Sequence, residues 1–391
     1  MAYPASVKWD NFLPGPENDS PANSGRCIVS AIQVEFFLND LTLHLTEECN
    51  LGCRYCYQNR RSQSLKFSTV RTALDFFLDA LQRRSFIGFY GGEPLLAFDT
   101  IRRAVAYVQD HSTLRGKSLR YSISTNGTLL TKEIFGFLDT YKFRVNLSHD
   151  GTAQETTRPS RMNSLILENL DRLIRSKGIE LETNSVFVPA TVGELYRSAR
   201  FLLERGVKNC NLMYSIINPW DSVSLERMRE QLRELRKFLL CDYRQRYTIP
   251  VGNFRDRPIR AMFWCSAGRD RLSLAADGSL WGCRFFADFF AAKSGHPEFS
   301  NYCFGKIQEL VRRPQNEYSA VYKSYRLLCQ DGFSSEHQPC RKCSRLLSCS
   351  ACPAIAAFST GAIGRIPAWM CDMKKIWQEE ISRFWKAAGS S

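Results

Sequence analysis

No stretch of about eighteen consecutive apolar residues occurs in the 391-residue chain, which excludes a membrane-spanning helix. The opening Met1-Ala2-Tyr3-Pro4-Ala5-Ser6-Val7-Lys8 lacks the apolar core of a secretory signal, so the chain reads as cytoplasmic. Acidic side chains are in deficit: 39 Asp and Glu stand against 53 Lys and Arg, a formal charge of +14. A positive surface can attract nucleic acid, anionic lipid or an acidic peptide. The competing reading is solvated helix faces, since many basic residues fall in helix-like stretches such as Arg227 to Arg246. An even cysteine count is also missing. Fifteen cysteines and no export signal argue against a disulfide framework, and reduced thiols that cluster usually hold metal.

What is present suits a folded enzyme. Apolar residues make up 44% and charged residues 24%, enough for an ordinary core. The length suggests two or three domains, or one barrel with an appendage. The cysteines do cluster: Cys49, Cys53 and Cys56 form one group, and Cys265, Cys283, Cys340, Cys343, Cys349, Cys352 and Cys371 a second. Cys27, Cys210, Cys241, Cys303 and Cys329 are scattered and read mostly as plain buried residues.

After a Pro-, Asn- and Ser-rich arm (Asn11 to Gly25) and a strand-like stretch (Cys27 to Leu38), an alternation begins. Strand-type runs at Leu41–Thr46, Phe86–Tyr90, Leu119–Thr125, Phe143–Ser148, Ile179–Val188 and Lys208–Ser215 are interleaved with helical spacing. The intervening helices are expected at Ser68–Arg83, Asp99–His111, Thr131–Tyr141, Ser164–Ser176 and Gly193–Arg205, with a sixth at Ser222–Arg246. Six strand–helix units predict an α/β fold, a partial (β/α)6 TIM-like barrel, with functional residues at the strand ends. Past about Ile249 the alternation stops, and a Cys-, Gly- and aromatic-rich remainder runs to a terminal helix near Met370–Lys386. Little regular core there implies metal cross-links. The expected organisation is an arm and strand at 1–40, the barrel at 41–248 and a cysteine-rich domain at 249–391.

Directly after the first strand comes Thr46-Glu47-Glu48-Cys49-Asn50-Leu51-Gly52-Cys53-Arg54-Tyr55-Cys56-Tyr57. Three thiols spaced C-x3-C-x2-C can hold three corners of a four-iron cubane and leave one iron open. A zinc loop is the alternative, but it wants a fourth protein ligand, and His44 lies within the strand. With an aromatic before the last cysteine, this segment resembles the signature of radical S-adenosylmethionine (radical SAM) enzymes. The resemblance implies that Cys49, Cys53 and Cys56 hold a 4Fe–4S cluster, that the methionyl amine and carboxylate of S-adenosylmethionine chelate the open iron, and that an electron then yields a 5′-deoxyadenosyl radical. An external donor of the flavodoxin or ferredoxin type would supply that electron.

The other strand ends resemble the same family. Gly91-Gly92-Glu93-Pro94 matches the segment that receives the methionyl amine. Ser122-Ile123-Ser124-Thr125-Asn126-Gly127 resembles the stretch whose hydroxyls face the nucleoside. Ser148-His149-Asp150-Gly151 ends the fourth strand, with His149 in place of the usual apolar residue, either a substrate contact or a structural histidine. Arg158, with Arg161 as competitor, stands where relatives carry a basic residue near the cosubstrate carboxylate. Ser122, Ser124, Asn126, Ser148, Asp150 and Arg158 thus join Gly91 to Pro94 as expected cosubstrate contacts.

Towards the C-terminus, Cys265-x12-Gly278-x4-Cys283, Cys340-x2-Cys343-x5-Cys349-x2-Cys352 and Cys371 resemble a SPASM domain, the seven-cysteine extension of peptide-modifying radical enzymes. Asp277 to Cys283 matches its hairpin and Phe304 to Ile307 its later glycine turn; the last x2 stands where relatives usually have x3. The resemblance implies one auxiliary 4Fe–4S cluster on Cys340, Cys343, Cys349 and Cys371. It implies three ligands of another from Cys265, Cys283 and Cys352, making three clusters in all. Either Cys303 or Cys329 completes the last, or one of its irons is open. Zinc at Cys340 to Cys352 is the alternative.

Two reactions fit: oxidative modification, such as a cross-link, of a ribosomally synthesised precursor peptide, or formylglycine formation by an anaerobic sulfatase maturase. The second family places a proton-accepting Asp after the cysteine corresponding to Cys283. Arg284 stands there and cannot act as a base, which favours the peptide maturase. No residue is assigned as the general base. A non-catalytic iron–sulfur redox protein is a third reading, opposed by the cosubstrate motifs at four strand ends. Only some forty residues precede the first strand, so a precursor peptide would be read by a separate recognition protein, the arm or the barrel mouth. The positive charge suits an acidic leader; a membrane or nucleic acid is not the expected partner.

Overall fold

The computed structural model describes residues 38–389, except 115, 247, 256–264, 294 and 313–318. The arm and nearly all of the strand-like stretch from Cys27 lie outside those residues. Six strands run in the anticipated order: β1 (Leu38–Thr46), β2 (Leu81–Gly91), β3 (Arg120–Thr125), β4 (Arg144–Ser148), β5 (Glu180–Phe187) and β6 (Cys210–Tyr214). Each is hydrogen-bonded in parallel to the next in sequence. Parallel strands need a crossover between them, and helices Phe67–Phe77, Phe98–Leu114, Lys132–Thr140, Asn163–Arg175 and Leu195–Glu204 supply it. The strands bury alternate apolar residues on one face: Leu41, Leu43 and Leu45 on β1 and Ile87 and Phe89 on β2.

One boundary differs from expectation. The first helix ends at Phe77, and Leu81 to Arg83, anticipated as its last turn, already belong to β2. Leu81 pairs with Leu38 ahead of a register shift, and the Ser85 hydroxyl donates to the Leu38 carbonyl at 2.6 Å. Tertiary pairing therefore overrides a helical pattern.

The cysteine-rich part starts inside the same sheet. β7 (Arg271–Leu274) pairs in parallel with β1, and β8 (Ser279–Trp281) and β9 (Cys303–Lys306) continue antiparallel, giving the order β6-β5-β4-β3-β2-β1-β7-β8-β9. The sheet stays open, with β6 and β9 at its edges. The helix Ser222–Arg246 packs along the terminal helix Ala368–Ala387, joined by Arg229–Glu379 at 2.6 Å and Arg236–Glu380 at 2.7 Å. Together these elements bring the C-terminal cysteines back toward the ends of the parallel strands.

Candidate active site at the strand ends

The loop between β1 and the first helix is shaped by backbone pairing. Gly92 N–H donates to the Thr46 carbonyl and Glu93 N–H to the Glu48 carbonyl, both at 2.8 Å; Arg54 N–H donates to the Thr157 carbonyl at 2.9 Å. The two glycines are required sterically. A Cβ on Gly91 would lie 2.2 Å from the Thr46 carbonyl oxygen at φ +141°, and one on Gly92 would lie 2.2 Å from that of Glu48. They permit the cysteine loop itself to approach, whatever else binds there.

That loop and the C-terminal ends of β2 to β6 line a cavity of about 360 Å³. Cys49, Cys53 and Cys56 all face it. Burial raises the Cys49 and Cys53 thiols above their ordinary range, and the charge of the neighbouring thiols adds to the effect. Such thiols become thiolates only beside cations. Arg158 Nη1 stands 3.8 Å from Cys53 Sγ, and Asn126 Nδ2 lies 3.9 Å from Cys49 Sγ. Among the described residues no three Cys, His, Asp or Glu side chains gather tightly enough for a single metal ion. The thiols surround a shared space instead, which fits ligands to separate corners of a polynuclear cluster.

Of the expected cosubstrate contacts, Gly91, Gly92, Ser124, Asn126, Ser148 and Arg158 line the cavity. Four others do not. Glu93 is fully buried and is a fastener rather than an open acceptor: Thr125 Oγ1 donates to Oε1 at 2.8 Å, Leu95 N–H to Oε1 at 3.1 Å and Asn126 N–H to Oε2 at 2.7 Å. Burial outweighs these three donors and raises its carboxyl to about 7. Pro94 opens a short 3-10 turn, and Ser122 sits lower on β3 against Gly88. Asp150 is a buried hub that accepts from Tyr55 Oη at 2.8 Å, Arg158 Nε at 3.0 Å and Val186 N–H at 2.7 Å. His149 is structural: its Nδ1 accepts from Gly151 N–H at 3.0 Å, its ring stacks on Phe201, and burial lowers it to about 4, so it is neutral.

Sequence reasoning missed several lining residues: Tyr57, Tyr90, Asn184, Asn211, Met213 and Arg284. The strand-end rule would have found those on β5 and β6. Arg284, noted in the sequence only as unable to act as a base, arrives from the first turn of the helix Arg284–Ala292. The Tyr57 and Tyr90 hydroxyls lie 2.9 Å apart. Behind them a second cavity of about 110 Å³ is lined by His44, Glu47, Arg61, Asp277 and Asp288. His44 Nε2, Glu47 Oε2 and Asp288 Oδ2 are buried there with no hydrogen bond among the described residues. Burial lowers His44 to about 3 and raises Asp288 to about 7, the latter against the pull of Arg284 and a hydrogen bond from Gln58.

The remaining cysteines form two groups. Cys340, Cys343, Cys349 and Cys371 line one cavity of about 70 Å³. Burial raises Cys340 to about 11, followed by the charges of the other three. Cys265 and Cys283, raised by burial to about 11 and about 12, both feel Cys352, and Cys283 also feels Cys265. Cys303 acts on Tyr325 together with Cys265 and Cys283, and Cys329 acts on Arg269 together with Cys265, so both thiols lie near the trio.

Comparison with known proteins places this arrangement. The sequence profile of the Radical SAM superfamily matches residues 43–202. A cysteine-type anaerobic sulfatase-maturating enzyme of Clostridium perfringens (strain 13 / Type A) is 30% identical over 341 residues, covering 77% of this chain and 84% of that protein. In structure the chain is similar to native anSMEcpe with bound AdoMet and Cp18Cys peptide, with a TM-score of 0.69 at 18% identity, over 90% of this chain and 98% of the other. It is also similar to Streptococcus suis SuiB bound to precursor peptide SuiA, with a TM-score of 0.56 at 15% identity, over 82% and 72% of the two chains.

Proposed function

This chain belongs to the radical SAM superfamily, and from that premise we propose that it is a peptide maturase acting on a ribosomally synthesised precursor. The observation that carries the reading is the common cavity: the three thiols of the Cys49–Cys56 loop and the ends of β2 to β6 face one space of about 360 Å³. SuiB and anSMEcpe, which share the fold, are both described with bound peptides.

In this reading Cys49, Cys53 and Cys56 hold the cluster. Cys340, Cys343, Cys349 and Cys371 hold an auxiliary cluster, and Cys265, Cys283 and Cys352 hold a third. When bound, the first cluster and S-adenosylmethionine supply reductive carbon–sulfur cleavage and hydrogen abstraction. The chain's own residues prepare the place. Gly91 and Gly92 let the loops meet closely, Ser124, Asn126 and Ser148 present polar groups, and Arg158 sets a fixed positive charge beside Cys53. Tyr55 and Asp150 clamp that guanidinium by an ion pair and a ring contact at 5.0 Å. The apolar wall of Met213, Ile216, Phe285 and Ile355 limits water around a reactive substrate.

Formylglycine formation is the second reading, favoured by the 30% identity to the clostridial maturase. Against it, the residue after Cys283 is Arg284, a guanidinium in the cavity wall that cannot accept a proton. One experiment separates them. Anaerobically reconstituted protein is incubated with reductant, S-adenosylmethionine and either a precursor-type peptide pool or a cysteine-containing sulfatase peptide. The maturase reading expects 5′-deoxyadenosine and a mass change in the pool alone. Sulfur loss in the sulfatase peptide would replace it with the second reading, and no 5′-deoxyadenosine in any arm would remove both.

A further inference from the structure

Arg284 is the least explained charge in the site. It is the first residue of the helix Arg284–Ala292, where the positive end of the helix dipole opposes a cation. Its guanidinium carbon lies 4.5 Å from the Tyr90 ring centroid and 4.9 Å from that of Phe285. Beyond these ring contacts it makes no hydrogen bond or ion pair among the described residues. Arg158 has Asp150, whereas Asp288, one turn beyond Arg284, feels the charge of its guanidinium without pairing with it and accepts from Gln58 instead. Two rings therefore hold a planar donor fork at the cavity wall, partly desolvated, with no hydrogen-bond acceptor among the described residues for its five donors.

The surroundings define the missing partner. Of the charged side chains lining the cavity, Arg60, Arg158 and Arg284 are positive and Glu47 alone is negative, and Arg158 is already paired within the protein. Beside Arg284 the wall is apolar at Phe285 and Ile355, and the side-chain amides of Asn184 and Asn211, which make no hydrogen bond among the described residues, face the same space. Free amides suit a peptide backbone, the apolar surface suits a short methylene stem, and a planar fork suits a carboxylate.

We propose that Arg284 is a specificity-determining residue that binds a carboxylate of the peptide segment entering the cavity, so that the modified position is acidic, adjoins an acidic residue or is the C-terminal residue. The proposal rests on the peptide-modifying reading above. Its test uses reconstituted holoprotein with S-adenosylmethionine and fluorescein-labelled, end-capped peptides carrying Glu, Gln or Lys at one central position, plus a Gln peptide with a free C-terminal carboxylate. Anisotropy titration reads peptide affinity, and equilibrium dialysis reads S-adenosylmethionine affinity in parallel.

The Glu peptide or the free-carboxylate peptide should bind about 10- to 100-fold more tightly than the capped Gln peptide. Whichever shows the gain identifies a side-chain or a terminal carboxylate. Arg284→Gln should abolish the gain, Arg284→Lys should keep part of it, and Arg284→Glu should turn the preference toward the Lys peptide. Circular dichroism checks folding; should Arg284→Gln not fold, the Lys variant and the parent's own peptide ranking decide. Equal binding of all peptides by the parent overturns the proposal while the peptide reading stands. A loss of S-adenosylmethionine affinity in Arg284→Gln, with the peptide ranking intact, gives the guanidinium to the cosubstrate and likewise overturns it. Absence of any peptide binding removes proposal and reading together.

Discussion

Arg158 Nη1 stands 3.8 Å from Cys53 Sγ while its Nε holds Asp150 at 3.0 Å, so one guanidinium joins a thiol to a fully buried carboxylate. Removing either member of a buried ion pair strands the other. Arg158→Met is expected to lower unfolding free energy by about 3–5 kcal/mol and Asp150→Asn by a comparable amount. Denaturant titration of the two single variants and the double variant checks this. A double variant no worse than either single one shows the pair acting as a unit.

Gly92→Ala places a methyl 2.2 Å from a backbone carbonyl of the cysteine loop, and a backbone contact has no flexible end to yield. The loop must move, at a cost of roughly 1–3 kcal/mol. The expected outcome is a folded protein that binds about four fewer irons, read by anaerobic iron analysis beside the parent. Full iron loading of this variant would count against the loop geometry.

Iron content also partitions the cysteines. A triple alanine variant at Cys49, Cys53 and Cys56 is expected to lose about four irons, and so is a double alanine variant at Cys340 and Cys349. At most one of Cys303→Ser and Cys329→Ser should lower the parental content, since a cluster on Cys265, Cys283 and Cys352 has room for one further thiol. A loss of iron in either identifies the missing ligand of that cluster.

Asp288 makes stability depend on pH. Burial raises its carboxyl from an ordinary 3.8 to about 7, with Arg284 and Gln58 opposing and Glu47 adding to the rise. Below about pH 4 the group is protonated in both states. As the pH climbs toward 7 the unfolded chain ionises first, so folding stability falls across that window and is level above it. Asp288→Asn removes the penalty, of order 4 kcal/mol. Its melting temperature should exceed the parent's at pH 8, and the gap should close near pH 4. A gap that is constant with pH would show that Asp288 is ionised throughout.

His149→Ile tests a side chain whose role the sequence left open. The imidazole is neutral and accepts from Gly151 N–H, away from the cavity. Losing that acceptor should cost about 1–2 kcal/mol of stability, read by thermal melting, with the rate of 5′-deoxyadenosine formation changed less than twofold. A tenfold fall in that rate would return His149 to the site.

Much of this was legible because it is local. The period-2 and period-3.6 patterns located six strands and six helices to within a few residues, cysteine spacing grouped Cys49 with Cys53 and Cys56, and the resemblance implied a group of Cys340, Cys343, Cys349 and Cys371. Neighbouring thiols on one short loop can hardly avoid a common centre. The end of the first helix was misplaced because Leu81 belongs to a strand partner more than forty residues away in sequence. Glu93 and Asp150 were recognised from their motifs, but their partners within the protein were not. A motif shows that a carboxylate is needed, whereas only packing shows that Thr125, Asn126, Tyr55 and Arg158 already occupy it. The continuation of the parallel sheet into β7 to β9 and the delivery of Arg284 to the cavity depend on pairing between β1 and a segment some 230 residues later. Hydrophobic period and thiol spacing are properties of the chain as written; which charge faces which cavity is decided only when distant segments pair and burial removes the water between them.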